Sequence, residues 1–110
     1  MANAYKVLAQ SAPSVASTAT DVYTVPGATE TVISTVIIAN RAATTGSFRL
    51  SVRPNGGTQT NAMYCAYDVP VAANDSTTLT LGLTVDATDV ITVFCSSADM
   101  SINIFGTEIS

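Results

Sequence analysis

The side chains in this 110-residue sequence that could do chemistry are few: two Cys, eight acidic and four basic residues, four Tyr, and no His. Without His, a Ser-His-Asp triad and a His-bearing zinc site are excluded, which removes the commonest small hydrolase designs. Cys65 and Cys95 lack CxxC spacing and lie in apolar runs, Met63-Tyr64-Cys65-Ala66-Tyr67 and Val93-Phe94-Cys95-Ser96. They read as buried, reduced thiols that pack as small hydrophobes, with a disulfide between neighbouring strands as the alternative. A nucleophilic Cys needs a base or an electropositive setting, and no His is present to supply one.

The carboxylates are dispersed. Asp86 and Asp89 flank one turn, and Asp68, Asp75 and Asp99 fall in other loops. A glycosidase pair needs two carboxyls facing across a cleft, and a small β domain offers little cleft. Calcium would accept such oxygen ligands, but the DxxD spacing lacks the residues of an EF-hand loop. Turn-forming Asp residues that bond nearby backbone amides are the simpler reading, so no cofactor or metal is expected. Asn55-Gly56-Gly57 has no helix after it and reads as a hairpin turn, not a phosphate cradle. The basic residues are Lys6, Arg41, Arg49 and Arg53, and the net charge is −4, which argues against a nucleic-acid partner. Three of the four lie between residues 41 and 53, where a small basic face is expected. The aromatics are singly spaced and no Trp is present; Tyr64 and Tyr67 beside the Arg53–Asn61 loop are the candidates for a glycan-binding platform.

The elements that must position these groups are strands. Seventeen Thr alternate with Val, Ile and Leu in short runs separated by turn residues. Ser47 to Arg53 sets Phe48, Leu50 and Val52 on one face and Ser47, Arg49, Ser51 and Arg53 on the other. Ser76 to Val85 sets Leu79, Leu81, Leu83 and Val85 against Thr. Thr31 to Asn40 is the longest apolar run; its β-branched content favours a strand, and apolar residues on both faces suggest a central strand or one covered by a neighbouring subunit. Pro26-Gly27, Pro54-Asn55-Gly56 and Pro70 punctuate the runs. The reading is all-β: a single antiparallel β-sandwich of about eight strands over residues 1–110, jelly-roll-like or immunoglobulin-like, with an extended arm or loop at residues 10–20. The absence of Trp and the spacing of the two Cys lean toward the jelly roll.

Charged residues make up 11% of the chain against a usual ~25%. With a mean hydropathy of +0.37, that composition suits a subunit that hides part of its surface in an assembly. No apolar run reaches the ~18 residues of a membrane helix, so no membrane partner is expected. The first residues lack the pattern of a secretory signal, and synthesis in the cytoplasm is expected.

Six segments of strand and turn stand out together: the opening Met1-Ala2-Asn3-Ala4-Tyr5-Lys6-Val7-Leu8, then Asp21-Val22-Tyr23-Thr24-Val25-Pro26 and Val36-Ile37-Ile38-Ala39-Asn40-Arg41. Tyr67-Asp68-Val69-Pro70, Leu79 to Val85 with Ala87-Thr88-Asp89-Val90, and the closing Phe105-Gly106-Thr107-Glu108-Ile109 complete the set. Together they resemble a group of small tailed-bacteriophage virion proteins. The resemblance implies a non-enzymatic structural component of the particle, a capsid decoration (cement) protein or a tail, baseplate or fibre-base component. It also implies a homo-oligomer, a trimer above all, that clamps neighbouring capsomers of the major capsid protein. A host-glycan-binding module is the competing class. The residues expected at an interface are Val32, Val36, Ile38, Arg41, Arg49, Arg53, Tyr64 and Tyr67.

Overall fold

Nine segments of the chain take up β structure, as their β-branched and aromatic side chains favour on a pleated, half-buried surface. In the structure, a computed structural model that describes residues 2–110, these are β1 (Asn3–Ser11), β2 (Thr18–Thr24), β3 (Glu30–Asn40), β4 (Gly46–Arg53), β5 (Tyr64–Val71), β6 (Ser76–Leu79), β7 (Leu83–Val85), β8 (Val90–Cys95) and β9 (Met100–Ile109). Single 3-10 turns at Pro54–Gly56 and Asn61–Met63 lie between β4 and β5.

All pairings are antiparallel, and they nest. β4 pairs with β5, β3 with both β6 and β7, β2 with β8, and β1 with β9, so the chain is one long ribbon folded about the β4–β5 connection. The ribbon is then rolled up, so that β9 also pairs with β3 and β8 with β4. The result is a sheet in the order β1-β9-β3-β6, with β7 also on β3, packed against a sheet in the order β2-β8-β4-β5. This is jelly-roll topology. An immunoglobulin-like order would put the first two strands in one sheet, and here they lie in opposite sheets.

The core lies between the sheets. Ile33, Val36 and Ile38 of β3, Phe48 and Leu50 of β4, Ile91 and Val93 of β8, and Met100, Ile102 and Ile104 of β9 have essentially no exposed surface. The alternation read in β4 is therefore correct for Phe48 and Leu50. Val36 and Ile38 correct the sequence reading: they are core residues and cannot form an interface. The cause is a bulge in β3, where the register with β9 shifts between Ile33 and Thr35. One extra residue reverses the phase of the side chains, so Val32 points outward while Val36 and Ile38 point inward.

The 10–20 stretch also differs from expectation. Gln10 and Ser11 belong to β1 and Thr18 to Thr20 belong to β2, which leaves only residues 12–17 as a loop. The Ser17 amide donates to the Cys95 carbonyl at 2.8 Å, which docks the end of that loop to β8. Ser76 to Val85 is two strands, because Gly82 adopts a left-handed φ of 61° that interrupts the extended backbone, and Leu81 is left exposed. Pro70 lies inside β5 instead of ending it, which an edge strand tolerates because no neighbour needs its missing N–H.

Near the chain termini the sheets are joined by polar groups. Tyr23 on β2 donates to Glu108 Oε2 at 2.5 Å and accepts from the Thr31 hydroxyl at 2.9 Å, and Lys6 Nζ pairs with Glu108 Oε1 at 2.5 Å. Hydrogen bonds from Lys6 and Tyr23 hold the Glu108 carboxyl below its ordinary range. Burial, reinforced by Glu108, pushes the Tyr23 phenol up to about 12. A lowered carboxyl pKa contributes stability that is present above the unfolded value and is lost as pH falls through the folded one. A raised phenol pKa contributes stability that is present below the ordinary value of 10.0 and is lost as pH rises toward 12. Thermal melting from about pH 7 down to about pH 3 should therefore cost the wild type more than Glu108→Gln, which has no carboxylate to titrate there. Parallel curves for the two proteins would remove Glu108 from the acid response.

Candidate interaction interface

The two sheets present outer faces of different character. On the β2-β8-β4-β5 sheet the outward positions are charged and aromatic. Arg49 on β4 lies between two rings, its guanidinium carbon 4.2 Å from the Tyr67 centroid and 4.4 Å from that of Phe94. Tyr64 packs edge-on against Tyr67, with centroids 4.9 Å apart at 82°. Asp68 binds the same guanidinium, with Nε–Oδ1 at 2.6 Å and Nη2–Oδ2 at 3.3 Å, and this carboxylate pushes the Arg49 pKa further up.

Local backbone puts these groups together. β5 carries register shifts on both sides of Ala66, so that Tyr67 and Asp68 together oppose Arg49. Asp68 takes a left-handed φ of 50° within the strand, a conformation Asp tolerates better than most residues. The bulge aims Tyr67 and Asp68 at one Arg from an edge strand. Cys65 falls at the other shift and is exposed, which corrects the expectation that both thiols are buried. Cys95 is buried as expected, no disulfide joins the pair, and burial pushes its thiol up to about 11.

Arg53 shares this face but serves the fold. Its guanidinium bonds to Asp21 Oδ1 at 2.8 Å, Thr92 Oγ1 at 3.1 Å, and the carbonyls of Gly56 and Gly57 at 3.2 and 3.0 Å. Ser51, read as outward-facing, is outward but buried, because Gln59 of the β4–β5 connection folds over it and accepts its hydroxyl at 2.7 Å. Arg41 lies past the end of β3, in the other sheet, where it reaches the Ala98 carbonyl at 3.5 Å. The expected basic face is thus divided, and its two members on one sheet are each paired with an Asp.

The acidic loops are occupied by backbone. Asp89 accepts from the Asn55 and Asp86 amides at 2.8 and 2.9 Å, Asp86 from Ala87 at 2.8 Å, and Asp75 from Ser76 at 2.8 Å. Among the described residues no three acidic or Cys side chains gather where they could hold a metal ion.

The outer face of the β1-β9-β3-β6 sheet carries little charge and mixes apolar side chains with amides and hydroxyls, since Asn3, Gln10, Thr78, Thr84, Asn103 and Thr107 share its outward register positions. Val32 and Ile37 of β3, Phe105 and Ile109 of β9, and Tyr5 and Val7 of β1 occupy outward positions by register with buried neighbours. Tyr5 is 80% exposed and Val7 48%. Lys6 and Glu108 sit on inward positions of the same strands, which leaves Glu30, at the start of β3, as the single charged side chain among the described residues on an outward strand position of this sheet. The two 3-10 turns pack on β4 and β8, so both cover the other sheet.

Of the eight residues read from sequence, Arg49, Arg53, Tyr64 and Tyr67 come together on one face. Val32 lies on the opposite face, Arg41 stands apart, and Val36 and Ile38 are internal. Phe94, Ile37, Phe105 and Tyr5 were missed, and the signal for Ile37 was the polar Ser34-Thr35 pair interrupting an apolar run. Comparison of the chain with protein-family models and with curated proteins finds no match.

Proposed function

We propose that this chain is a non-enzymatic structural protein of a tailed-bacteriophage virion, a head decoration protein that acts through its surfaces and is carried in the particle after synthesis in the host cytoplasm. In this reading it assembles with copies of itself, a trimer above all, and binds the major capsid protein. The observation that carries the reading is the nearly uncharged outer face of the β1-β9-β3-β6 sheet, with Tyr5 and Val7 exposed on its edge strand. Exposed apolar side chains on a face with so little charge suit an interaction site. The resemblance of the strand and turn segments to phage virion proteins supplies the setting.

Adding purified protein to heads that lack it and imaging them by cryo-EM tests the proposal. Density at the local threefold positions of the capsid is the expected result; binding confined to the tail would replace the head assignment with a tail or baseplate one. A second reading rests on Tyr67, 56% exposed beside Tyr64 and the Arg49–Asp68 pair. Aromatic faces next to a carboxylate suit a sugar ring and its hydroxyls. Glycan-array binding abolished by Tyr67→Ala would favour a host-glycan module.

A further inference from the structure

We propose that the outer face of the β1-β9-β3-β6 sheet is where copies of this chain pack against one another, so that the occupant of the face is a second copy of itself. The inference rests on the interface reading above and goes further by choosing, between another copy of this chain and the capsid, which of them occupies that face.

Charge distribution carries the argument. The molecule has a net charge of −4, so copies repel each other at long range unless they meet on a neutral surface. The β2-β8-β4-β5 sheet presents Asp21, Arg49, Arg53 and Asp68 outward, already paired in cis, and the β4–β5 connection covers part of it. Packing a second copy there would strip water from two ion pairs per subunit, a cost that ordinarily cancels the Coulombic gain. Among the described residues the opposite face bears Glu30 on a strand position at its rim, with Asp86 of the β7–β8 turn beside it. Two such faces can meet with these rim carboxylates left in water and no ion pair desolvated.

Shape and size agree. The 11 residues of β3 extend ~36 Å, and four strand positions at ~4.8 Å spacing span about 19 Å. The face therefore offers on the order of 700 Å², close to the ~800 Å² per partner of a standard stable interface. Its Val, Ile and Phe side chains alternate with hydroxyls such as Thr84, opposite Val32, and Thr107. These can exchange hydrogen bonds with another subunit at little desolvation cost. Homo-oligomers with closed symmetry are the common outcome of such self-compatible surfaces.

The test is sedimentation of the purified full chain over about 1 to 100 µM, a range that covers the weak end for an interface of this size. The variants are Ile37→Lys at the centre of the face, Val7→Lys on its exposed edge, and Tyr67→Ala on the other sheet. Val7→Lys keeps the test open if Ile37→Lys fails to fold, since Val7 is half exposed on an edge strand. The wild type and Tyr67→Ala should form the same oligomer, and each Lys variant, with an unchanged circular dichroism spectrum, should dissociate at concentrations at least about 30-fold higher. A wild type that stays monomeric throughout overturns the inference, as do folded Lys variants that assemble like the wild type. A monomer that still binds phage heads would leave the virion reading standing and make the capsid the occupant. An oligomer broken by both Lys substitutions that binds no heads would sustain the inference and remove the virion reading.

Discussion

Gly106→Ala should lose more stability than any other one-methyl change in the chain. A Cβ at Gly106 would stand 2.1 Å from the Val32 carbonyl oxygen, 3.0 Å from Leu8 Cδ1 and 3.1 Å from Ile33 Cα. Leu8 can rotate away. The Val32 carbonyl cannot, because it belongs to the central strand of the sheet, paired on both sides. Relief requires β3 and β9 to separate beside the bulge between Ile33 and Thr35, which breaks ladder hydrogen bonds in the middle of the sheet. Overpacking against movable side chains costs ~1–3 kcal/mol, and a backbone clash should cost about 3 kcal/mol or more. Against the ~5–15 kcal/mol that a domain has in total, that is a large fraction. Urea unfolding measures it, with Gly27→Ala as the reference, since no atom lies within 4 Å of a Cβ there. Gly27→Ala should stay within about 0.5 kcal/mol of wild type. Equal midpoints for the two variants would mean that β3 does not press on Gly106 as described.

The same bulge explains how far the sequence could be read. Fold class and most strand positions follow from period-2 alternation and turn residues, because those are local preferences, whereas the break at Gly82 that makes nine strands of the expected eight or so does not. Which residues of β3 face out is not local. With an unbroken period of two, Val32, Val36 and Ile38 share a face, and that is how the run reads. The structure inserts one residue at Ser34, whose hydroxyl donates to the Phe105 carbonyl at 3.2 Å, and the phase reverses. Only the partner strand, with Gly106 opposite Ile33, makes room for this. The β5 pair was legible in type but not in partner: Tyr64 and Tyr67 stood out, whereas Phe94 and Asp68 reach Arg49 through a pairing that joins residues far apart in sequence.

The jelly-roll path sorts charge between the two sheets. Charged side chains on β1 and β9 point inward at Lys6 and Glu108, where they bond each other and Tyr23 across the open end of the sandwich. Those on β2, β4 and β5 point outward and pair across strands. Low charge content in the sequence thus becomes, in the fold, one face with almost no charge at all. A partner seated there gains from removing apolar surface from water, about 25 cal/mol per Å² before the costs of association. Salt should not weaken that contact, because the face holds no ion pair to screen, while screening of the repulsion between copies of net charge −4 favours their meeting.

The second large effect is expected at Asn40, a buried amide at the end of β3 that ties three segments together. Its Nδ2 donates to the carbonyls of Thr44 at 2.9 Å and Val71 at 3.1 Å, with Ala72 at 3.4 Å, and its Oδ1 accepts from the Ala42 amide at 3.0 Å. Only an amide side chain supplies two donors and an acceptor at this reach. Asn40→Asp keeps the shape but turns the donor end into a carboxylate oxygen facing backbone carbonyls. The loss at neutral pH should be about 3–5 kcal/mol, the range for an uncompensated buried charge. Protonation restores one donor, so the folded state of this variant holds its carboxyl proton more tightly than the unfolded chain does. Stability is then regained as pH falls, the opposite sign to the wild-type response through Glu108. Asn40→Ala, which leaves the carbonyls without a donor but adds no charge, should lose about 2–3 kcal/mol with no such recovery. Urea midpoints of the three proteins at about pH 7 and about pH 4.5 separate the cases. If Asn40→Asp and Asn40→Ala lose equally at both pH values, the penalty comes from missing hydrogen bonds, and the carboxylate has escaped the carbonyls by moving into solvent.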